Sequence, residues 1–421
     1  MAAERTFLFV VDWIRAGTGG FASLMDLMTE LDHQGHRIVL VRIGFSPRFW
    51  LDSRIPELPE AFELIEAPGL DLFLEQRKTG RQSGIANHSV PPFRERVRKT
   101  IYQVFRVFNS TRLELALERI LDADILVNAS SLSGHGLKTL RDGGLMLVQN
   151  HAGSKEAYSQ YFLSEDQRFP DAANDLDLYT SFCSGFHVLL FQSGEQATEC
   201  AQHHDLLRER TFTLRPSADT ASMDLARDQP SPYKPGSVNI VMVGTIQPRK
   251  SQDTAVSVLH GIRRRGMDAS LHIVGGIADS AYAARLETHI RELKLESNVF
   301  LHGHRDDHIR FMAHADILLQ TSHAEGVSRA VREAMFLRLP IVSFMLPGLE
   351  EYLGDEGAFL ENHGDVEALT ESLVIALSDK VESRRRADLS RSVFDAFSSP
   401  TAYTGSVTRF VDHLNTLGIA E

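Results

Sequence analysis

Two carboxylates stand eight residues apart in the segment EGVSRAVRE, Glu325 before an apparent helix start and Glu333 inside it. Ser328 has the side chain of an N-cap, and RAVREAMFLRL continues with helical spacing up to Pro340. At about 100 degrees per residue, Ala330, Val331, Ala334 and Leu337 share the apolar side; Arg329 and Arg332 point away, and Glu333 falls at the margin. A helix start offers free N–H groups and a positive dipole end, which favour a phosphate. An acceptor on each side of that anion site matches the layout of a nucleotide-sugar, with its diphosphate between sugar and ribose hydroxyls. Taken alone, the spacing reads more readily as two surface acids near a helix start. Arg249 and Lys250 change the balance, because they follow the apolar run VNIVMV (238–243), where two cations can neutralise a pyrophosphate.

The elements that must position these groups show as short apolar runs between helical stretches. FLFVV (7–11), RIVLVRI (37–43), DILVN (124–128), LMLVQN (145–150) and HVLLFQ (187–192) predict parallel strands covered on both faces. Between the first two, Phe21, Leu24, Leu27, Met28 and Leu31 mark an amphipathic helix that Gly35 ends. The proline-rich stretch 224–237 reads as a linker. A second series follows: VNIVMV (238–243), ASLHIVG (269–275), NVFLHG (298–303), ADILLQT (315–321) and PIVSF (340–344). The expected architecture is α/β, with two doubly wound, Rossmann-like domains facing each other across a cleft. Ligands of such sheets gather at the carboxyl ends of the strands. The expected domains are 1–225 and 235–398, and helical spacing through Val407, Phe410, Val411 and Leu414 gives a last helix within 400–421.

With VMVGTIQPRKSQ, LHIVGG, VFLHGH, ADILLQTSHAEGVSRAVREAM and PIVSFMLPGLEEYL in this order, the chain resembles the retaining glycosyltransferases of family 4, which have the GT-B fold. In the first half the resemblance rests on GTGGFASLMDLMTELDHQGHRIVLV, NHAGS and FTLRPSAD. It implies that Glu333 binds the donor ribose and that Glu325 contacts the donor sugar. The amides of Gly326, Val327 and Ser328 would hold sugar and phosphate, and Arg249 and Lys250 the diphosphate. Gly19 and Gly20 would let a loop approach the donor, His151 would line the sugar site, and Gly303, His304 and Arg305 would lie near the base. The family often has Arg directly after the glycine that ends the first strand of this half. Here Thr245 follows Gly244, so Arg249 is expected to supply the second cation. Gly326-Val327-Ser328 replaces the frequent Gly-Phe-Gly, which leaves the sugar pocket open. The resemblance also implies that the last helix crosses back onto the first domain.

The function so implied is transfer of a sugar, with retention, from a UDP- or GDP-linked donor to a glycan, lipid-linked or other hydroxyl acceptor. Cations and a helix end aimed at the departing diphosphate act most at the transition state, with no side-chain nucleophile, metal ion or other cofactor required. Two Asp-x-Asp matches, Asp122/Asp124 and Asp175/Asp177, read as solvated acids rather than metal ligands, as do His135, His187, His203 and His204 as ordinary polar or core histidines. A net charge of −12 disfavours nucleic acid, and two cysteines, Cys183 and Cys200, without metal spacing fit a reducing, cytoplasmic setting. No apolar run reaches about 18 residues. The basic stretch 91–108, with Ile101, Tyr102, Phe105 and Phe108, is compatible with lying on the inner face of an anionic membrane, but a core-packed helix with a solvated basic face is the preferred reading. Rival readings are a sugar-nucleotide epimerase or phosphorylase on the same fold, and an NAD-dependent dehydrogenase suggested by Gly17, Gly19 and Ala22. The dehydrogenase lacks a glycine turn directly after the strand and an acid at the end of the second strand.

Overall fold

A computed structural model describes residues 4–11, 19–42, 58–66, 123–129, 144–150, 185–203, 210–323, 325, 328–346 and 348–417. The stretch 91–108, the Asp175/Asp177 pair, Asp122, Cys183, His135 and His204 lie outside them. The chain divides into two compact units. One comprises Met1–Phe191, Ala197–Leu214 and Val407–Glu421; the other comprises Gln192–Gln196 and Arg215–Ser406.

In the first unit, β1 (Thr6–Val11), β2 (Arg37–Arg42), β3 (Glu63–Glu66), β4 (Ile125–Ala129), β5 (Met146–Asn150), β6 (Val188–Phe191) and β7 (Thr211–Thr213) form a parallel sheet ordered β3-β2-β1-β4-β5-β6-β7. Every residue of β1 is buried, as a central parallel strand with helices on both faces requires. The helix Gly19–His33 buries Leu24, Leu27, Met28 and Leu31. Gly35 (φ 88°) ends it in the left-handed conformation, while the next amide, His36 N–H, bonds back to Leu31 O.

The second unit carries β8 (Val238–Val243), β9 (Ala269–Val274), β10 (Val299–Leu301), β11 (Ile317–Gln320), β12 (Ile341–Phe344) and β13 (Phe359–Glu361), all parallel, in the order β10-β9-β8-β11-β12-β13. Strand parity sorts its core into two layers. Ile240, Met242, Leu271, Ile273, Ile317 and Leu319 pack with the helices Gln252–Arg264, Ser280–Glu292 and Val366–Ser378. Val241, Val274 and Leu318 face the opposite layer, with the helices His308–Ala313, Arg329–Leu337 and Leu349–Gly357. The chain reverses its winding between the neighbours β8 and β11, and in open α/β sheets ligands gather at the strand ends of such a reversal.

Two expectations need correction. Residues 224–227, read as linker, complete a helix, Thr220–Arg227, whose start is capped by Asp219 accepting from Ser222 N–H and whose Met223 and Ala226 are buried. The prolines begin only at Pro230, which is why the helix runs past the expected boundary. Arg332, expected to point outward, is 2% exposed and donates to Ser217 O. A carbonyl supplied by a segment 115 residues away overrides the helical projection. The last helix is Pro400–Thr416; Val407, Phe410, Val411 and Leu414 are all buried, and Phe410 packs on Phe212 with ring centroids 5.3 Å apart.

Candidate functional site: a charged cluster at the strand switch

After β8 the chain makes a short 3-10 turn, Pro248–Lys250, and enters the helix Gln252–Arg264 through Ser251, which holds the left-handed conformation (φ 52°) although it is not glycine. After β11, Thr321 ties the neighbouring loop to this turn: its hydroxyl donates to the carbonyls of Ser251 (2.7 Å) and Lys250 (3.3 Å). His323 N–H donates to Arg249 O at 2.9 Å. These bonds fix the backbone from which the charged side chains project.

Lys250 Nζ lies 2.5 Å and Arg249 Nη1 3.0 Å from Glu325 Oε1. Lys250 is 9% exposed, and its stem runs across Gly244. A Cβ at position 244 would sit 3.0 Å from Lys250 Cε, so glycine is what lets the lysine fold back over its own strand end. Burial pushes the Glu325 carboxyl up, but the adjacent Lys250 and Arg249 outweigh it and hold the group below the ordinary carboxylate value. Glu325 is therefore an anion seated between two cations.

Glu333 is 2% exposed. Its Oε1 accepts from Arg329 Nε at 2.8 Å, one helical turn back, and lies 3.3 Å from His308 Nε2. Its Oε2 is buried and has no hydrogen-bond partner among the described residues. Burial raises this carboxyl's affinity for a proton, while His308, Arg329 and Arg332 outweigh that effect and keep it anionic. An ionised oxygen without a partner is an acceptor waiting for a donor. Ser328 occupies the N-cap position of the helix Arg329–Leu337, as expected, but its hydroxyl makes no capping bond. The first amides of that helix thus lack the side-chain acceptor an N-cap usually supplies.

The remaining candidates are distributed as follows. Thr245 Oγ1 accepts from Gln247 Nε2, and Thr245 O accepts from Gln252 Nε2. Gly303 turns the chain after β10 at φ 67°, and its carbonyl accepts from Gly275 N–H. His304 and Arg305 follow, exposed and paired with Asp306 (3.2 Å) and Asp307 (2.8 Å). Gly19 and Gly20 open the helix Gly19–His33 in the first unit. His151, Gly326 and Val327 lie outside the described residues. The structure thus joins Arg249, Lys250 and Glu325 in direct contact and sets Glu333 in a second cluster with Arg329 and His308. His308 was missed by sequence reading, since no spacing signal links it to a carboxylate 25 positions on. Among the described residues no group of three or more His, Cys, Asp or Glu side chains could hold a metal ion, and no helix is long and apolar enough to cross a membrane.

Residues 227–391 match the family described as Glycosyl transferases group 1. The putative colanic acid biosynthesis glycosyltransferase WcaL of Escherichia coli is 26% identical over 162 residues, covering 36% of this chain and 39% of that protein. The chain spans about two-fifths of the length of the curated relatives it matches. Among solved structures, sucrose-phosphate synthase from Thermosynechococcus elongatus superposes with a TM-score of 0.72 at 15% identity, covering 99% of this chain and 100% of that one. HepE of Anabaena, solved in complex with UDP-glucose, gives 0.65 at 15% identity, with 97% and 99% covered. Such likeness speaks for the fold, two Rossmann-like units each built on a parallel sheet. Residues 227–391 thus match the Glycosyl transferases group 1 family, within a chain of GT-B fold.

Proposed function

We propose that this chain is a retaining glycosyltransferase, moving a sugar from a nucleoside-diphosphate sugar to a hydroxyl acceptor without a metal ion. The observation that carries the reading is the seating of Glu325 between Lys250 and Arg249 at the strand switch of the second sheet. Two cations held by backbone ties, beside a helix start with no side-chain cap, form a preorganised site for a diphosphate. Cleavage of the sugar–phosphate bond builds negative charge on the leaving group. Lys250, Arg249 and the amides opening the helix Arg329–Leu337 then act more strongly on the transition state than on the bound donor.

Glu333 offers its open Oε2 to the ribose hydroxyls, while Arg329 and His308 hold its other oxygen. Glu325, once the diphosphate takes over the cations, is freed to accept from a hydroxyl of the transferred sugar. The loop Gly303 to Arg305 ends a strand two places from β8, about 10 Å away, and would meet the base. UDP is the first nucleotide to try, since the similar HepE was solved with UDP-glucose. The name of WcaL points to a glycan acceptor.

The test is a thermal-shift series with UDP, GDP and ADP, followed by incubation of the matching sugar donor with acceptor glycans. One nucleotide should raise the melting temperature in proportion to the logarithm of its concentration. Transfer should proceed after chelator treatment, and the product should keep the anomeric configuration of the donor. A chain stabilised by none of the three, or an inverted product, would overturn the proposal.

A further inference from the structure

Beside the charged cluster stands a pair of histidines that the sugar-transfer reading does not use. His323, two residues before Glu325, places Nδ1 3.0 Å from Nε2 of His363, which follows β13. Both side chains are exposed, and the rings are tilted by 60° with centroids 5.0 Å apart. Each is anchored. The His323 amide donates to Arg249 O, and the His363 ring leans on buried Phe344.

We infer that His323 and His363 form a two-histidine site for a divalent transition metal of the zinc type, and that the metal staples the loop bearing Glu325 to the end of β13. Zinc–nitrogen bonds of about 2.0–2.1 Å at a tetrahedral angle require about 3.3 Å between the two nitrogens. The observed 3.0 Å needs only a few tenths of an ångström of opening. One ring N–H now donates to the other ring's nitrogen. Its transfer to the far nitrogen of the same ring frees both lone pairs with no net loss of a proton. Waters complete the tetrahedron.

The consequence for the neighbouring site rests on the proposed function: Glu325 must leave Lys250 and Arg249 when a diphosphate arrives, and a metal that fixes His323 holds the loop in the self-paired arrangement. Zinc should therefore weaken nucleotide binding.

The full chain, freed of metal by chelation and dialysis, is titrated with zinc chloride. The expected result is a saturable rise in melting temperature with one zinc per chain, weakened at least about tenfold in affinity by either His323→Ala or His363→Ala and no further by both. A rise unchanged in His363→Ala would overturn the site. Circular dichroism confirms that each variant is folded without metal, and His363→Asn stands in if the alanine variant is not. In a second arm, saturating zinc should weaken UDP binding in the unaltered chain and not in His363→Ala. Equal UDP affinity with and without zinc would overturn the staple. Failure of UDP to bind in zinc's absence would instead count against the donor reading, while the zinc titration alone still decides the metal site.

Discussion

Replacing Glu325 by Gln removes the anion that Lys250 and Arg249 share while leaving a side chain of nearly the same shape. The ion pairs, at 2.5 and 3.0 Å, each represent about 6 kcal/mol of Coulomb attraction at an effective dielectric of about 20. Desolvation offsets much of that, and breaking such a buried pair costs about 3–5 kcal/mol net. E325Q should therefore lower the melting temperature of the empty chain, because two cations then face each other with no counter-ion. A nucleoside diphosphate meets the opposite situation. In the unaltered protein it must displace Glu325, whereas in E325Q it finds the cations unclaimed. If roughly half of the broken-pair energy is recovered on binding, the gain is about 1.5–2.5 kcal/mol, or ten- to hundredfold tighter UDP. Transfer should nevertheless fall by about two orders of magnitude, since the sugar loses its acceptor. Isothermal calorimetry with UDP, alongside a transfer assay, separates the two effects. UDP affinity that is unchanged or lower in E325Q would refute the idea that Glu325 competes with the diphosphate, whatever happened to turnover.

Glu333→Gln replaces the open buried acceptor with an uncharged amide, so UDP and UDP-sugars should bind about ten- to hundredfold more weakly; inorganic pyrophosphate, which has no ribose, should be unaffected in the same calorimeter. Gly244→Ala should weaken diphosphate binding about tenfold by pushing the Lys250 stem away, visible as a raised KM, whereas a structural role alone would appear only in the melting temperature. Gly275→Ala would place a Cβ 2.0 Å from the backbone oxygen of Gly244, and should destabilise the second unit by about 3 kcal/mol or more in urea unfolding. His272, held mainly by burial, with a further contribution from neighbouring His302, at about 4 against an ordinary 6.5, is neutral in the fold; its contribution to stability is complete above pH 6.5 and is lost as the pH falls towards 4. Urea midpoints at pH 7 and pH 5 should differ less in His272→Gln than in the unaltered chain, and equal differences would count against this source.

The interior strands could be read because a parallel strand with helices on both faces must be apolar along its whole length, and FLFVV and VNIVMV satisfy this almost without exception. The three strands that escaped, Glu63–Glu66, Thr211–Thr213 and Phe359–Glu361, all lie at sheet edges and are three or four residues long. ELIE, TFT and FLE mix acids or threonines with only one or two apolar residues, so neither run length nor alternation rises above background. Glu325 and Glu333 were visible through their spacing, and Arg249 with Lys250 through their place after a strand. Their partners were not. That Arg329 turns back onto Glu333 while Arg332 dives inward to Ser217 depends on what packs against that helix, information that a helical projection of the helix alone does not contain.

Several ordinary folding rules are broken together around one point of the second sheet. Between residues 249 and 333 a lysine is buried, Ser251 takes a left-handed backbone, a helix begins without a side-chain cap and a buried carboxylate oxygen goes unpartnered. Each feature alone would destabilise the fold by about 1–3 kcal/mol. A chain selected only for stability would have little reason to gather them at the two neighbouring strands where winding reverses. A diphosphate linked to a ribose answers three of them together: it gives Lys250 a counter-ion, the uncapped helix an acceptor and Glu333 Oε2 a donor. The strained Ser251 is what sets the 3-10 turn bearing Arg249 and Lys250 against Thr321, so relieving it should loosen the cations rather than improve the site. Ser251→Gly, which removes the strain at no steric cost, should leave the melting temperature equal or higher, yet weaken UDP binding in calorimetry because Ser251's side-chain bonds to Asp253 and Thr254 are lost with it. If UDP bound the glycine variant as tightly as the unaltered chain, the turn would be only a connector, and the clustering of irregularities would need another cause.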